Sequence, residues 1–195
     1  MIIGIDLAGS EKRNTGFCYL IGNKVFTKIL HKDEEIIENV KRLKPKIIAI
    51  DAPLSLPKGR KNIDKKGSHF RKCDLELRKF KIKFFPITLG PMRKLTERGI
   101  KLKKVFLKNN FKVIEVFPGA VYDMAKINRK SVSEIKKFLS NFFELEKKEY
   151  TLDELDAITC CLVAKFYLEN KYIEIGDKKE GTIILPAFKF NNKRI

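Results

Sequence analysis

The sequence predicts an α/β protein: a mixed sheet of five strands flanked by helices, with a basic insertion after the fourth strand. Three observations predict it. Two short apolar runs, residues 2–5 and 47–50, are rich in β-branched side chains and read as strands buried on both faces. Residues 14–30 carry two more apolar runs joined at Gly22-Asn23, a hairpin signal. Segments with apolar residues at helical spacing then alternate with the later strands.

The first strand, residues 1–6, stops on Asp6 and turns through LAGS. Strands at 16–21 and 24–30 complete a meander. Residues 33–43, DEEIIENVKRL, place Ile36, Ile37, Val40 and Leu43 on one helical face, with acids first and bases last, as the helix dipole favours. Pro45 stops this helix. The strand at 46–51 follows and ends on Asp51. Its chain turns at Ala52-Pro53, where proline has no donor for a ladder.

From residue 53 to about 91 periodicity fades and positive charge accumulates. Residues 58–83 hold eleven Lys or Arg against three acids. A short helix over 69–80 is expected inside this insertion. So long a connection is usually functional or mobile. A helix over 91–109 follows. FKVIEVF, residues 111–117, reads as the last strand, with Glu115 near its carboxyl end. A helix is expected over 131–144. Another starts at Thr151, where TLDE is a capping box, and buries Leu155, Ile158, Leu162, Val163 and Phe166. Residues 172–188 read as a short terminal extension turning at Gly181, and the final NNKRI as frayed. The chain, 1–195, is expected to form one domain with its insertion at about 53–91.

Composition narrows the function classes. Forty-two Lys and Arg against 24 Asp and Glu give a net charge of +18. That points to a polyanion, nucleic acid (DNA or RNA), as partner, although lysine- and isoleucine-rich chains also arise from genome bias or thermal adaptation. No apolar run reaches the length of a membrane span, and Met1 runs directly into a strand rather than a secretory leader. A cytoplasmic protein without a membrane partner is expected. The four cysteines show no CxxC spacing, which fits reduced thiols rather than disulfides or zinc.

The carboxylates carry the chemistry. Open α/β sheets bind ligands outside the carboxyl ends of their strands. If the strands ending in Asp6 and Asp51 are parallel neighbours, about 4.8 Å apart, the two carboxylates repel unless a cation lies between them. Either one alone is accounted for by turn capping. Asp153 and Asp156 share a face of the last helix, in its first turn. Asp6, Asp51, Asp153 and Asp156 together make a candidate site for Mg²⁺ or Mn²⁺. Glu115 is a further catalytic candidate, because its strand is expected beside the one ending in Asp51; the alternative is a solvent-facing strand residue. Arg71, Asp74 and Arg78, at i, i+3 and i+7, form either a phosphate clamp or surface ion pairs. Arg93 and Lys94 are candidates for further phosphate contacts. His69 and Cys73, at i and i+4, are too few to hold a soft metal.

The segments GIDLAGS, IAIDAPLSLP and DELDA, set in this order of elements, resemble the metal-binding motifs of the ribonuclease H-like superfamily, including the RuvC-type Holliday-junction resolvases. With RKCDLELR, PITLGPMRKL, VIEVFPGA and EGTIILP, the chain is similar over nearly its whole length to a prokaryotic family of unknown function, described as predicted nucleases of ribonuclease H-like fold. The resemblance implies that fold, and metal-dependent phosphodiester hydrolysis with Asp6, Asp51 and Asp156 as ligands and Asp153 in support. In such a two-metal reaction one ion activates a water and the other stabilises the leaving oxygen, the ions about 3.5–4 Å apart. Asp51 departs from RuvC-type proteins, which carry a longer glutamate. As in those resolvases, a homodimer is allowed. The alternatives are a nucleic-acid-binding module without turnover and an actin- or sugar-kinase-like phosphotransferase. The latter shares the strand topology and a GIDxG-type opening but needs a second domain.

Overall fold

The computed structural model describes residues 1–187; the expected fraying of NNKRI lies outside them. The elements run β1 (Ile2–Asp6), β2 (Thr15–Ile21), β3 (Lys24–Leu30), α1 (Asp33–Leu43), β4 (Ile47–Asp51), α2 (Lys72–Lys79), α3 (Gly90–Lys108), β5 (Val113–Val116), α4 (Pro118–Ala125), α5 (Val132–Leu139), α6 (Leu152–Leu168), β6 (Tyr172–Asp177) and β7 (Gly181–Pro186). One mixed sheet has the order β3-β2-β1-β4-β5-β7-β6. β1 is antiparallel to β2 and parallel to β4, and β4 is parallel to β5.

The sheet has seven strands among the described residues, not five. β5 is not its edge. Residues expected as a terminal extension fold into the β6–β7 hairpin, and β7 adds in parallel to β5, Glu115 opposite Ile183. The physical reason is the free edge of β5: α6 crosses one face of the sheet and delivers the chain there. Ile183, Ile184 and Leu185 are buried as a result. The second difference is α4. The sequence predicts no helix there; Pro118 fills its first turn, where the missing N–H has no intrahelical partner to lose.

Strand periodicity sorts the core into two layers. Ile2, Ile47 and Ala49 face α6, with α4 and α5 beside it. Ile3, Ile5, Ile48 and Ile50 face α1 and α3, against Ile36, Val40, Leu102 and Phe106. A third cluster packs Cys73 and Leu77 of α2 on Ile175, Ile183 and Leu185, so the insertion covers the β6–β7 end of the sheet.

Two glycines set how closely α6 lies on the sheet. An added Cβ at Gly4 would lie 2.1 Å from the Ala157 carbonyl oxygen and 2.7 Å from the Cys161 amide nitrogen. At Gly16 it would lie 1.9 Å from the Asp153 carbonyl oxygen. In both places the obstacle is helix backbone, which cannot step aside locally. Gly4→Ala is therefore expected to lose about 2–3 kcal/mol or more by overpacking, read as a lower urea midpoint at unchanged m-value.

Candidate functional site

Asp6 and Asp51 are direct partners in the parallel β1–β4 register. The alternation that turns Ile2 and Ile47 toward α6 also turns Asp6 and Asp51 that way, four residues further along each strand. There they meet the first turn of α6. Thr151 caps this helix: its hydroxyl accepts from the Glu154 amide at 3.2 Å, and the Glu154 carboxylate accepts from the Thr151 amide at 3.0 Å. The cap fixes where the helix starts, and the glycine contacts fix its height. Asp153 and Asp156 are thereby brought to the strand ends.

The electrostatics record this convergence. Burial, then the negative charges of Asp51, Asp156 and Asp153, raise the Asp6 carboxyl well above the usual carboxylate range. Burial, then Asp156 and Glu115, do the same to Asp51, while Arg129 opposes them. Burial lifts Asp156 to about 6, with Asp153 adding to the rise and Tyr122 and Arg129 holding it down. The Tyr122 hydroxyl donates to Asp156 Oδ1 at 2.6 Å and contacts the Thr159 hydroxyl at 2.7 Å. The donor set is all oxygen, which suits a hard divalent cation. The side chains are gathered but not closed around one point: among the described residues no three His, Cys, Asp or Glu side chains stand in a metal-holding arrangement.

Glu115 lies beside Asp51 as expected, but on the other face. Its register partner is Ile50, while Asp51 pairs with Val116. One residue of phase is enough to turn a strand side chain away. Both Glu115 oxygens accept from Arg71, Nη2 to Oε1 and Nη1 to Oε2, each at 2.7 Å, and Oε2 also accepts from the Leu54 amide at 2.7 Å. Arg71 is only 1 % exposed. Its remaining donors reach Asp74 (Nη2 2.8 Å, Nε 3.1 Å) and the Ser55 hydroxyl (Nη1 3.2 Å). All five N–H groups are used, so of the two alternatives Arg71 and Asp74 form an ion pair rather than a phosphate clamp, and it is buried rather than at the surface. They hold the turn after β4 to the start of α2. Arg78 is exposed and lies over the Phe70 ring at 4.4 Å. Arg93 pairs with Asp64, and Lys94 is exposed. His69 Nδ1 meets the Thr88 hydroxyl at 2.6 Å, while Cys73 is buried in the third cluster, so the two do not form a metal pair.

Several residues that organise the site carried no sequence signal. Arg98 of α3 donates to Asp33 Oδ1 at 2.7 Å, to the Ala8 carbonyl at 2.8 Å and to the His31 carbonyl at 2.7 Å. It pins the loop that follows Asp6. Arg60 donates to the carbonyls of Ile63, Lys65, Gly67 and Ser68. That gathers the insertion into a fixed loop with Lys58, Lys61, Lys65 and Lys66 exposed on it. Glu180 ties the loop down by accepting from the Lys58 and Lys72 amides, both at 2.6 Å. Tyr122 and Arg129 lie 34 and 27 positions before Asp156, with no spacing to announce them.

Residues 4–94 match the model of DUF429, a protein family of unknown function. The match takes in Asp6, Asp51, Arg71 and Asp74, and it ends before Asp153 and Asp156. Two solved structures of Thermus thermophilus RuvC are similar in fold. One is RuvC in complex with a Holliday junction substrate, with 12 % identity over 87 % of this chain and 94 % of that one, at a TM-score of 0.50. The other is RuvC alone, with 11 % identity over 87 % and 95 %, also at 0.50. The chain thus has a ribonuclease H-like fold, shared with RuvC, and over residues 4–94 it is similar to a family of unknown function. No curated protein matches its sequence. No helix among the described residues is long and apolar enough to cross a membrane.

Two measurements separate the carboxylates that repel from the one that is paired. Without metal, the folded protein holds protons on Asp6, Asp51 and Asp156 more tightly than the unfolded chain does. Their contribution to stability is greatest below about pH 4, the unfolded value, and is lost as the pH rises, through about 6 for Asp156. Asp51→Asn removes one repelling charge. In EDTA at pH 8 it is expected to melt roughly 2–4 °C above the wild type, with the gap closing toward pH 5. Glu115→Ala has the opposite sign. It removes one of the two carboxylates paired with the buried Arg71 and the acceptor of the Leu54 amide, and is expected to lose about 3 kcal/mol in chemical denaturation.

Proposed function

We propose that this chain is a metal-dependent nuclease that hydrolyses phosphodiester bonds in nucleic acid, DNA or RNA. Asp6, Asp51 and Asp156 would hold Mg²⁺ or Mn²⁺, with Asp153 in support. The observation that carries the reading is the convergence of these carboxylates from two strands and one helix, at the carboxyl edge of the sheet, with their pKa values driven upward by burial and by one another. Like charges held in so small a space are relieved by a cation. When bound, the cation supplies a Lewis acid that activates water and stabilises the leaving oxygen. Glu115 is left out of this set, because Arg71 and the Leu54 amide take both its oxygens.

The chain's own residues provide the rest. Tyr122 orients Asp156 by donating to Oδ1, which leaves Oδ2 for a cation. Arg129 partly offsets the negative field at Asp51 and Asp156. The exposed lysines of the Arg60-bound loop, with Arg78 and Lys94, supply phosphate contacts, and the net charge of +18 draws a polyanion to them. A RuvC relative in complex with a Holliday junction supports nucleic acid as the partner. A single functional domain over 1–195, a cytoplasmic location and pairing of two copies belong to the same proposal.

Wild-type protein with Mn²⁺ is expected to cut at least one of a panel of single-stranded, duplex, hybrid and branched oligonucleotides. Asp51→Asn should lower that rate by roughly 100-fold or more while retaining salt-sensitive binding. One observation favours a second reading, a binding module without turnover: no three carboxylates already stand in a metal-holding arrangement among the described residues. Binding with no divalent-dependent cleavage on the whole panel would select it.

A further inference from the structure

Two cavities flank the carboxylates, and they differ in kind. One, of about 560 Å³, is lined by Asp6, Gly9, Arg13, Asn14 and Asp153. The other, of about 440 Å³, opens beside Asp51 and is walled by Phe84, Phe85, Ile87 and Phe117, with Lys83 and Arg129 also lining it. Met92 and Leu95 of α3 line both, so the cavities adjoin along the first turns of that helix. The second has the volume and the apolar walls of a ligand pocket. The hydrolysis proposed above uses none of its aromatic residues.

The aromatic wall is fixed in place. Phe84 meets Phe70 edge-on, ring centroids 6.0 Å apart, and the Arg78 guanidinium covers Phe70 at 4.4 Å and approaches Phe84 at 5.8 Å. Phe85, the next residue, is 67 % exposed, among the largest exposures of any apolar side chain described here. Arg129 lies over the Phe117 ring at 5.3 Å, and its Nη2 donates to the Lys83 carbonyl at 3.1 Å. Lys83, Arg129 and the paired Arg71 thus border an aromatic cavity that Asp51, Asp74 and Glu115 also line. Arg129 is already held by Asp123, its Nε donating to Oδ1 at 2.8 Å, whereas Lys83 is exposed and its ammonium is open to a phosphate. A nucleobase suits this lining: its flat aromatic face matches the phenylalanines, and the exposed Lys83 can meet the backbone beside it.

We propose that this cavity takes an unpaired nucleobase of a single-stranded segment, with the adjoining phosphate at the carboxylates and the backbone continuing into the polar cavity. The placement of the phosphate rests on the nuclease reading; the base pocket itself does not. The consequence is a preference for substrates with an unpaired base next to the cleaved bond, because a duplex must first unstack that base to fill the pocket.

The test is binding, read by fluorescence anisotropy in EDTA, where divalent-dependent cleavage is off. The full-length protein is titrated onto a labelled single-stranded oligonucleotide and onto a strand of equal length made of abasic residues. The ordinary strand is expected to bind roughly tenfold more tightly, the worth of one or two stacked bases. Phe85→Ala and Phe84→Ala should each reduce that ratio toward one and leave the affinity for the abasic strand unchanged. Phe85 projects into solvent, so its truncation leaves the fold intact, which an unchanged melting temperature verifies. Equal affinities in the wild type, or a ratio that neither variant alters, would overturn the proposal while leaving Asp51-dependent cleavage untouched. A nucleoside 5′-monophosphate that displaces the oligonucleotide at equal or lower concentration would also overturn it, by assigning the cavity to free nucleotides. Loss of cleavage on every substrate with the tenfold ratio intact removes the nuclease reading and keeps the pocket.

Discussion

The close seat of α6 on the sheet is the constraint from which the site follows. Gly4 and Gly16 let helix backbone press directly against β1 and β2, and no side chain other than hydrogen would permit it. That seat carries Asp153 and Asp156 to the strand ends, where Asp6 and Asp51 already lie in register. The result is an electrostatically unfavourable cluster that the remaining contacts must overcome. Apolar packing of Leu155, Ile158, Leu162 and Val163 on the same sheet face supplies the opposing term, since each fully buried side chain of this size is worth about 1.5–3 kcal/mol. Strongly shifted carboxyl groups of this kind cluster at functional sites.

The charged groups divide by face and by partner. On the α6 side, Asp6, Asp51 and Asp156 crowd together and their pKa values rise. On the other side, Glu115 and Asp74 are matched to Arg71, and Asp33 to Arg98, through short hydrogen bonds with every donor of Arg71 engaged. Such matched pairs specify geometry more than they add stability. Here they fix the turns that follow β1 and β4, the segments that bear the candidate ligands. The same logic governs the basic insertion. Arg60 is buried to hold its loop together, and the lysines around it are left to solvent.

The apolar cavity beside Asp51 is assembled from distant parts of the chain. Its walls come from the insertion, from the start of α3 and from the residues after β5, three segments far apart in the chain. Asp51 therefore shares this cavity with the aromatic wall, charge beside flat apolar area.

What the sequence determined by itself was local. Apolar runs closed by Asp6 and Asp51, the Gly22-Asn23 turn, the helix of residues 33–43 and the Thr151 capping box each depend on neighbours within a few positions, so the order of elements and the carboxylates at their ends were legible. The β6–β7 hairpin was not, because its strands gain their pairing only from the open edge of β5. Nor was the fate of Glu115 and Arg71. Spacing says that a glutamate ends a strand and that basic residues recur along a helix, but a register one residue out of phase decided which face each would meet. Tyr122 and Arg129 reach Asp156 through the packing of α4 and its following turn. Pairing across a sheet and contact across a core are set by which surfaces remain to be buried once the local elements exist, and that is a property of the assembled fold.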